Sequence, residues 1–136
     1  MSYEPGTELG PLVIESVSAE AMKEVAVVLA DPNPIHLDPE VVKALGMGDR
    51  VINQGPTNIA WILDMLREAV PGATIRNVKV RMLANVFGGD RVLAAGRVDT
   101  NEVVDGERRL VASVWLDVDG GARAVEGTAT LILPTA

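Results

Sequence analysis

The 136-residue chain contains no cysteine. Disulfides, thiolate nucleophiles and cysteine-held zinc are therefore excluded. Histidine occurs once, at His36, and the carboxylates are scattered, so no metal site is expected. Aromatic residues make up only 3%, which leaves Val, Ala, Leu and Ile to fill a core. Such a core is light and stands to gain from further burial in an oligomer. Positive charge is scarce as well: 12 Lys and Arg face 19 Asp and Glu, for a net charge of −7. With no basic cluster, neither nucleic acid nor an anionic membrane surface is expected as a partner, although a few local cations could still hold an anionic ligand. The opening Met-Ser-Tyr-Glu-Pro-Gly lacks the basic and apolar regions of a signal peptide. No apolar run is long enough to cross a bilayer. The expectation is a soluble cytoplasmic protein.

What is present is a hydrophobic content of 48%, enough for one folded domain over residues 1–136. Residues 1–11, broken by Pro5, Gly6, Gly10 and Pro11, read as an extended lead-in, and Leu12 to Val17 as a short strand. Ser18 is a candidate N-cap for a helix over about 19–30, with Met22, Val25, Ala26 and Leu29 on one face. Pro32 and Pro34 forbid its continuation. Pro39 opens a second short helix over about 39–45, with Asp38 as its cap. Gly55-Pro56 starts a longer helix over about 56–70, which Pro71-Gly72 stops. Its stripe of Ile59, Ile62, Leu63, Leu66 and Val70 is widened by Ala60, Trp61, Met65 and Ala69. A helix apolar on most faces is a buried one. From residue 75 onward the period changes to two, with turns at Gly88-Gly89-Asp90, Asp105-Gly106 and Asp119-Gly120-Gly121. The expected class is α+β: one early strand, helices, and a four-stranded antiparallel meander around a central helix.

Chemistry concentrates in Asp31-Pro32-Asn33-Pro34-Ile35-His36-Leu37-Asp38. A proton-handling ring beside carboxylates, on a segment too rich in proline for regular structure, is what acid–base catalysis requires. Asp31 and His36 are the candidate pair. Arg76, Lys79 and Arg81 read as a solvated strand face, and Trp61 and Met65 as core.

This segment, followed by Val51-Ile52-Asn53-Gln54-Gly55 at the start of a buried helix and then by antiparallel strands, resembles the MaoC-like hot-dog-fold dehydratases and (R)-specific enoyl-CoA hydratases. The resemblance covers nearly the whole chain. It implies a single hot-dog domain that interconverts 2-enoyl and 3-hydroxyacyl thioesters, on CoA or on acyl carrier protein, with no cofactor beyond the thioester substrate. Asp31 and His36 then match the catalytic pair that holds the attacking water. Gly55 matches the residue whose N–H binds the thioester carbonyl. Asp31 is read as the base towards water and His36 as the group that orients it and supplies the C2 proton, with the reverse left open. Asn33, Gln54, Thr57 and Asn58 are candidate substrate-binding positions, Asn33 mainly as a structural member of the motif. The chain departs from the family pattern at Ala30, usually Gly, at Gln54-Gly55-Pro56, often His-Gly-Met, and at Leu63, often a small hydroxyl residue. The resemblance also implies a homodimer or a higher oligomer, with pairing to a second hot-dog chain as an alternative. In that case the chain would be a subunit of a heteromeric dehydratase or an acyl-thioester-binding partner. A third reading, a hot-dog thioesterase, would need a carboxylate on the central helix, where only Asp64 and Glu68 are available.

Overall fold

The computed structural model describes residues 2–135. The elements, in order, are β1 (Glu8–Ile14), α1 (Ala19–Leu29), a 3-10 turn (Pro34–His36), α2 (Pro39–Ala44), α3 (Gly55–Ala69), β2 (Thr74–Met82), β3 (Val92–Val104), β4 (Glu107–Val118) and β5 (Arg123–Ile132). The five strands form one antiparallel sheet in the order β1-β3-β4-β5-β2. α3 packs on β1, β3 and β4, so the expected arrangement of a sheet around a central helix is what forms.

Inward positions of the strands alternate as a half-buried sheet demands. Val92, Ala94 and Val98 of β3, Leu110, Ala112, Val114 and Leu116 of β4, and Val125, Ala129 and Leu131 of β5 are all buried. They meet Ile62, Met65 and Leu66 of α3. Close contact between β3 and β4 depends on a residue without a side chain. A Cβ on Gly96 of β3 would lie 2.7 Å from the Ser113 carbonyl oxygen and 3.5 Å from Met65 Cε.

Three expectations need correction. The first strand begins at Glu8, not Leu12, and runs through Gly10-Pro11. It can do so because β1 is an edge strand and its register shifts between Leu9 and Leu12, leaving Pro11 no ladder bond to supply. The four later strands are not a simple meander. β2 pairs with β5, at the far edge from β1. The Gly88-Gly89-Asp90 turn exists, with Asp90 N–H donating to the Phe87 carbonyl at 3.1 Å. It does not close a β2–β3 hairpin, because residues 83–91 carry the chain across the end of the sheet. There Val86 is buried, Phe87 bridges Ile52, and Gly88 N–H donates to the Val51 carbonyl. Finally, α3 is covered on one face only. Ile62, Met65 and Leu66 are buried, but Ile59, Trp61 and Leu63 are half-buried and Ala60 is exposed. Its apolar surface is wider than this sheet alone can cover.

The strand cations are mostly engaged on the surface. Arg76 forks onto Glu107 at 2.7 and 3.1 Å, and Arg81 pairs with Glu126 at 3.0 Å. Hydrogen bonding to Arg76 holds the Glu107 carboxyl below its usual range. Among the described residues, no helix is long and apolar enough to cross a membrane.

Candidate active site

α1 begins where the sequence indicates, with Ser18 Oγ accepting from Ala21 N–H at 3.0 Å. Its end is more informative. Ala30 adopts the left-handed conformation, φ 51° and ψ 40°. Ala30 N–H donates to the Val27 carbonyl at 3.2 Å, and Asp31 N–H donates to the Ala26 carbonyl at 3.0 Å. This pair of reversed bonds is a Schellman closure. It fixes the Asp31 backbone to the last turn of the helix.

Beyond it, a chain of side-chain caps shapes the loop. Asp31 Oδ1 accepts from Asn33 N–H at 3.1 Å, and Asn33 Oδ1 accepts from Ile35 N–H at 3.2 Å. Such Asx turns suit a stretch whose prolines cannot donate. Asp38 caps α2 by accepting from Glu40 N–H at 2.9 Å, as expected of it. Asn33 thus does structural work and stands exposed, with its amide oxygen engaged in the turn.

Asp31 uses one carboxylate oxygen for the loop and presents the other to the ring. Asp31 Oδ2 lies 3.4 Å from His36 Nε2. The His36 side chain is 10% exposed and that of Asp31 38%, so the pair opens to solvent on the aspartate side. His36 Nδ1 lies 2.6 Å from the Ile52 carbonyl oxygen. A carbonyl can only accept, so Nδ1 carries a proton, and Nε2 is the nitrogen left to exchange one at the site. The Ile52 backbone also donates to the Ile35 carbonyl at 2.9 Å, which locks the turn against the segment leading into α3.

Gly55 opens α3, with Gln54 as N-cap and Pro56 in the first turn. Thr57 and Asn58 N–H both donate to the Gln54 carbonyl. Gly55 N–H donates to no group among the described residues, and the positive end of the α3 dipole lies there. A Cβ on Gly55 would meet only the tip of Met82, Cε at 3.4 Å. Protein packing does not demand a glycine here.

The remaining sequence candidates are placed as follows. Asn58 is buried and accepts from Asn53 Nδ2 at 2.7 Å. Gln54 is 1% exposed and donates from Nε2 to the Met22 carbonyl at 2.8 Å. Thr57 is half-buried in the first turn of α3. The acceptors that organise the pair, the carbonyls of Ile52 and Ala26, were not foreseen, since backbone groups leave no mark in a sequence. Asn53 was also missed. Its polar side chain within an apolar stretch was the available signal.

An apolar groove of about 530 Å³ runs beside Asp31, walled by Ala26, Val27, Ala30, Pro32 and Leu37. A cavity of about 600 Å³ on the outer face of the sheet, around Trp115 and Arg123, touches none of these residues. The first includes Asp31 and Lys23 in its lining but neither His36 nor Gly55.

The chain matches the MaoC like domain over residues 4–118. No curated protein matches it in sequence. Among solved structures it is similar to an (R)-hydratase from A. caviae involved in PHA biosynthesis, at 26% identity and a TM-score of 0.87, covering 98% of this chain and 99% of that one. It is also similar in fold to R-hydratase PhaJ1 from Pseudomonas aeruginosa, at 20% identity and a TM-score of 0.83, over 98% and 83% of the two chains. A chain of the ChsH1–ChsH2 complex from Mycobacterium tuberculosis shares the fold at 19% identity and a TM-score of 0.82, over 98% and 100%.

Proposed function

Because the chain belongs to the MaoC-like domain family and adopts its hot-dog fold, we propose that it hydrates 2-enoyl thioesters to 3-hydroxyacyl thioesters and catalyses the reverse dehydration. CoA is the carrier we favour over acyl carrier protein. The observation that carries this reading is the Asp31–His36 pair, 3.4 Å apart, with the ring held by Nδ1–H donating to the Ile52 carbonyl.

Hydration requires removal of a proton from water as its oxygen attacks C3, delivery of a proton to C2, and stabilisation of the carbonyl oxygen as it gains enolate character. On this reading Asp31 Oδ2 takes the proton from water, and the protonated Nε2 of His36 gives one to C2. The proton then on Asp31 returns to Nε2, so that hydroxide at C3 and hydrogen at C2 balance the water consumed. The N–H of Gly55 receives the thioester oxygen at the positive end of α3, an interaction typically worth about 3–4 kcal/mol in the transition state. Addition of water is redox-neutral, so no redox cofactor is invoked. Thr57 is the candidate contact with substrate from the first turn of α3. The apolar groove beside Asp31 suits an acyl or pantetheine chain. We propose a cytoplasmic location.

We further propose that the chain works as a homodimer or higher oligomer. The half-covered apolar face of α3 and the free edge of β2 support this. A heteromeric assembly with a second hot-dog chain is the alternative, and the similarity to a chain of a two-protein complex keeps it in view. The thioesterase reading has less support, since Asp64 is exposed and paired with Arg67 at 3.1 Å.

The test is turnover of trans-2-enoyl-CoA substrates, from short-chain to bulky polycyclic, by the purified chain. Asp31→Asn keeps an acceptor for Asn33 N–H and removes the base, so turnover is expected to fall by about 10²–10⁴ with an unchanged melting temperature. Near-normal turnover by this variant would sink the assignment.

A further inference from the structure

The proposed site draws Asp31 from the end of α1, His36 from the 3-10 turn and Gly55 from the start of α3. The stretch Val51–Gln54 joins them, and all four of its residues are buried. Ile52 holds the His36 ring. Asn53 N–H donates to the Val86 carbonyl at 2.7 Å, tying the stretch to the crossing segment. That leaves α1, and with it Asp31, to be set against α3.

Gln54 bridges these two helices. Its Nε2 donates to the carbonyl of Met22, in the first turn of α1, at 2.8 Å. The carbonyl can only accept, so the orientation of the carboxamide is settled. The bridge is costly to keep: Gln54 is 1% exposed, and its Oε1 accepts from no group among the described residues. A buried acceptor without a partner is unfavourable, and an apolar side chain of the same length would avoid it. The polar residue therefore brings no evident gain in stability. What it does supply is a directional contact between the helix that ends at Asp31 and the residue immediately before Gly55.

We propose that Gln54 is a positioning residue: its bond to the Met22 carbonyl sets the Gly55 N–H against the Asp31 carboxylate without touching substrate. The proposal rests on the hydratase reading of Asp31, His36 and Gly55. It also redefines Gln54, a sequence candidate for substrate binding, as a member of the scaffold. Small misplacements of catalytic groups cost up to about 10²-fold in rate, so the loss of such a tether should fall on the chemical step.

The experiment is Gln54→Met, close in volume and free of both the donor and the unpaired acceptor. It is expected to lower kcat about tenfold or more, with KM changed less than about twofold and a melting temperature no lower than that of the parent. A merely structural Gln54 would give the opposite, a lower melting temperature with kcat per folded molecule unchanged, and that result overturns the proposal. Gln54→His keeps a ring N–H to donate and is expected to retain kcat within about threefold of the parent. If it folds but turns over as slowly as Gln54→Met, the role of the donor is refuted. Hydrogen exchange gives a readout independent of turnover. The amides of Ile52 and Asn53, bonded to the Ile35 and Val86 carbonyls, should exchange about tenfold faster in Gln54→Met, and unchanged exchange overturns the tether. A parent chain inactive on every enoyl thioester would instead refute the hydratase reading, and the tether would then be judged on exchange alone.

Discussion

From Val92 to Leu131 the residues that reach full burial are apolar or glycine, whereas His36, Asn53, Gln54 and Asn58 lie buried within a span of 23 positions that ends inside α3. The sheet hides its surface by alternation, and its backbone groups find partners in neighbouring strands. The site-bearing span has no ladder. Its buried side chains are anchored one by one, His36 to Ile52, Asn53 to Asn58 and Gln54 to Met22, with Gln54 Oε1 left unpaired among the described residues. Apolar burial is non-directional, so the sheet can gain stability without specifying the position of any one atom. Hydrogen bonds specify direction at modest net gain, which suits a region proposed to place a ring and an N–H beside the Asp31 carboxylate. If this contrast is right, changes in the sheet should alter stability alone and changes in the span should alter turnover first.

The sharpest break of that contrast would come from His36→Asn. Its amide can replace the Nδ1 donor towards the Ile52 carbonyl, so the buried acceptor keeps a partner. Nothing remains in the place of Nε2. Turnover is expected to fall by about 10²–10⁴ while the midpoint of denaturation shifts little. A folded variant with more than about a tenth of parental activity would remove His36 from the proton path.

Two glycines offer a matched pair. A Cβ at Gly96 would lie 2.7 Å from the backbone oxygen of Ser113, which cannot move without disturbing the sheet. Gly96→Ala should therefore destabilise by about 1–3 kcal/mol in denaturant melts, with kcat per folded molecule preserved. At Gly55 a Cβ would touch only a flexible Met82 tip. Gly55→Ala should leave stability within about 0.5 kcal/mol and still lower kcat/KM about tenfold, because the methyl group occupies the approach to the N–H. Equal behaviour of the two variants would erase the distinction between the regions.

The same contrast explains what could be read from the residues. Alternation located β2 and β4, the Gly- and Asp-rich turns bounded β3 and β5, and the Ser18 and Asp38 caps and the Pro71-Gly72 stop located the helices. Strand order could not be read, since the alternation of β2 is equally compatible with either edge, and only the burial of Val86 and the Ile52–Phe87 bridge send residues 83–91 across the sheet. In the candidate site, the approach of Asp31 and His36 was legible because their side chains mark the segment. The carbonyls of Ala26, Met22 and Ile52, which orient them, were not. The extent of cover over α3 was overestimated because an apolar surface in a sequence does not say whether the same chain or another covers it.

Ala30 caps α1 immediately before Asp31, and it tests the contrast at the smallest scale. It ends α1 at φ 51°, a conformation that costs an L-residue about 1–2 kcal/mol and a glycine almost nothing. Glycine loses more chain entropy on folding, which offsets part of this gain. Ala30→Gly should therefore stabilise by about 0.5–1 kcal/mol, seen as a rise in the melting temperature. The two reversed hydrogen bonds, from Ala30 N–H to Val27 and from Asp31 N–H to Ala26, involve backbone alone and survive the change. Because they fix where Asp31 leaves the helix, its carboxylate should keep its place opposite His36, and kcat should stay within about twofold of the parent. A rise in stability accompanied by a large loss of turnover would mean that the alanine methyl, at the wall of the apolar groove, contacts the substrate. The boundary between scaffold and site would then lie one residue earlier, at the C-cap of α1.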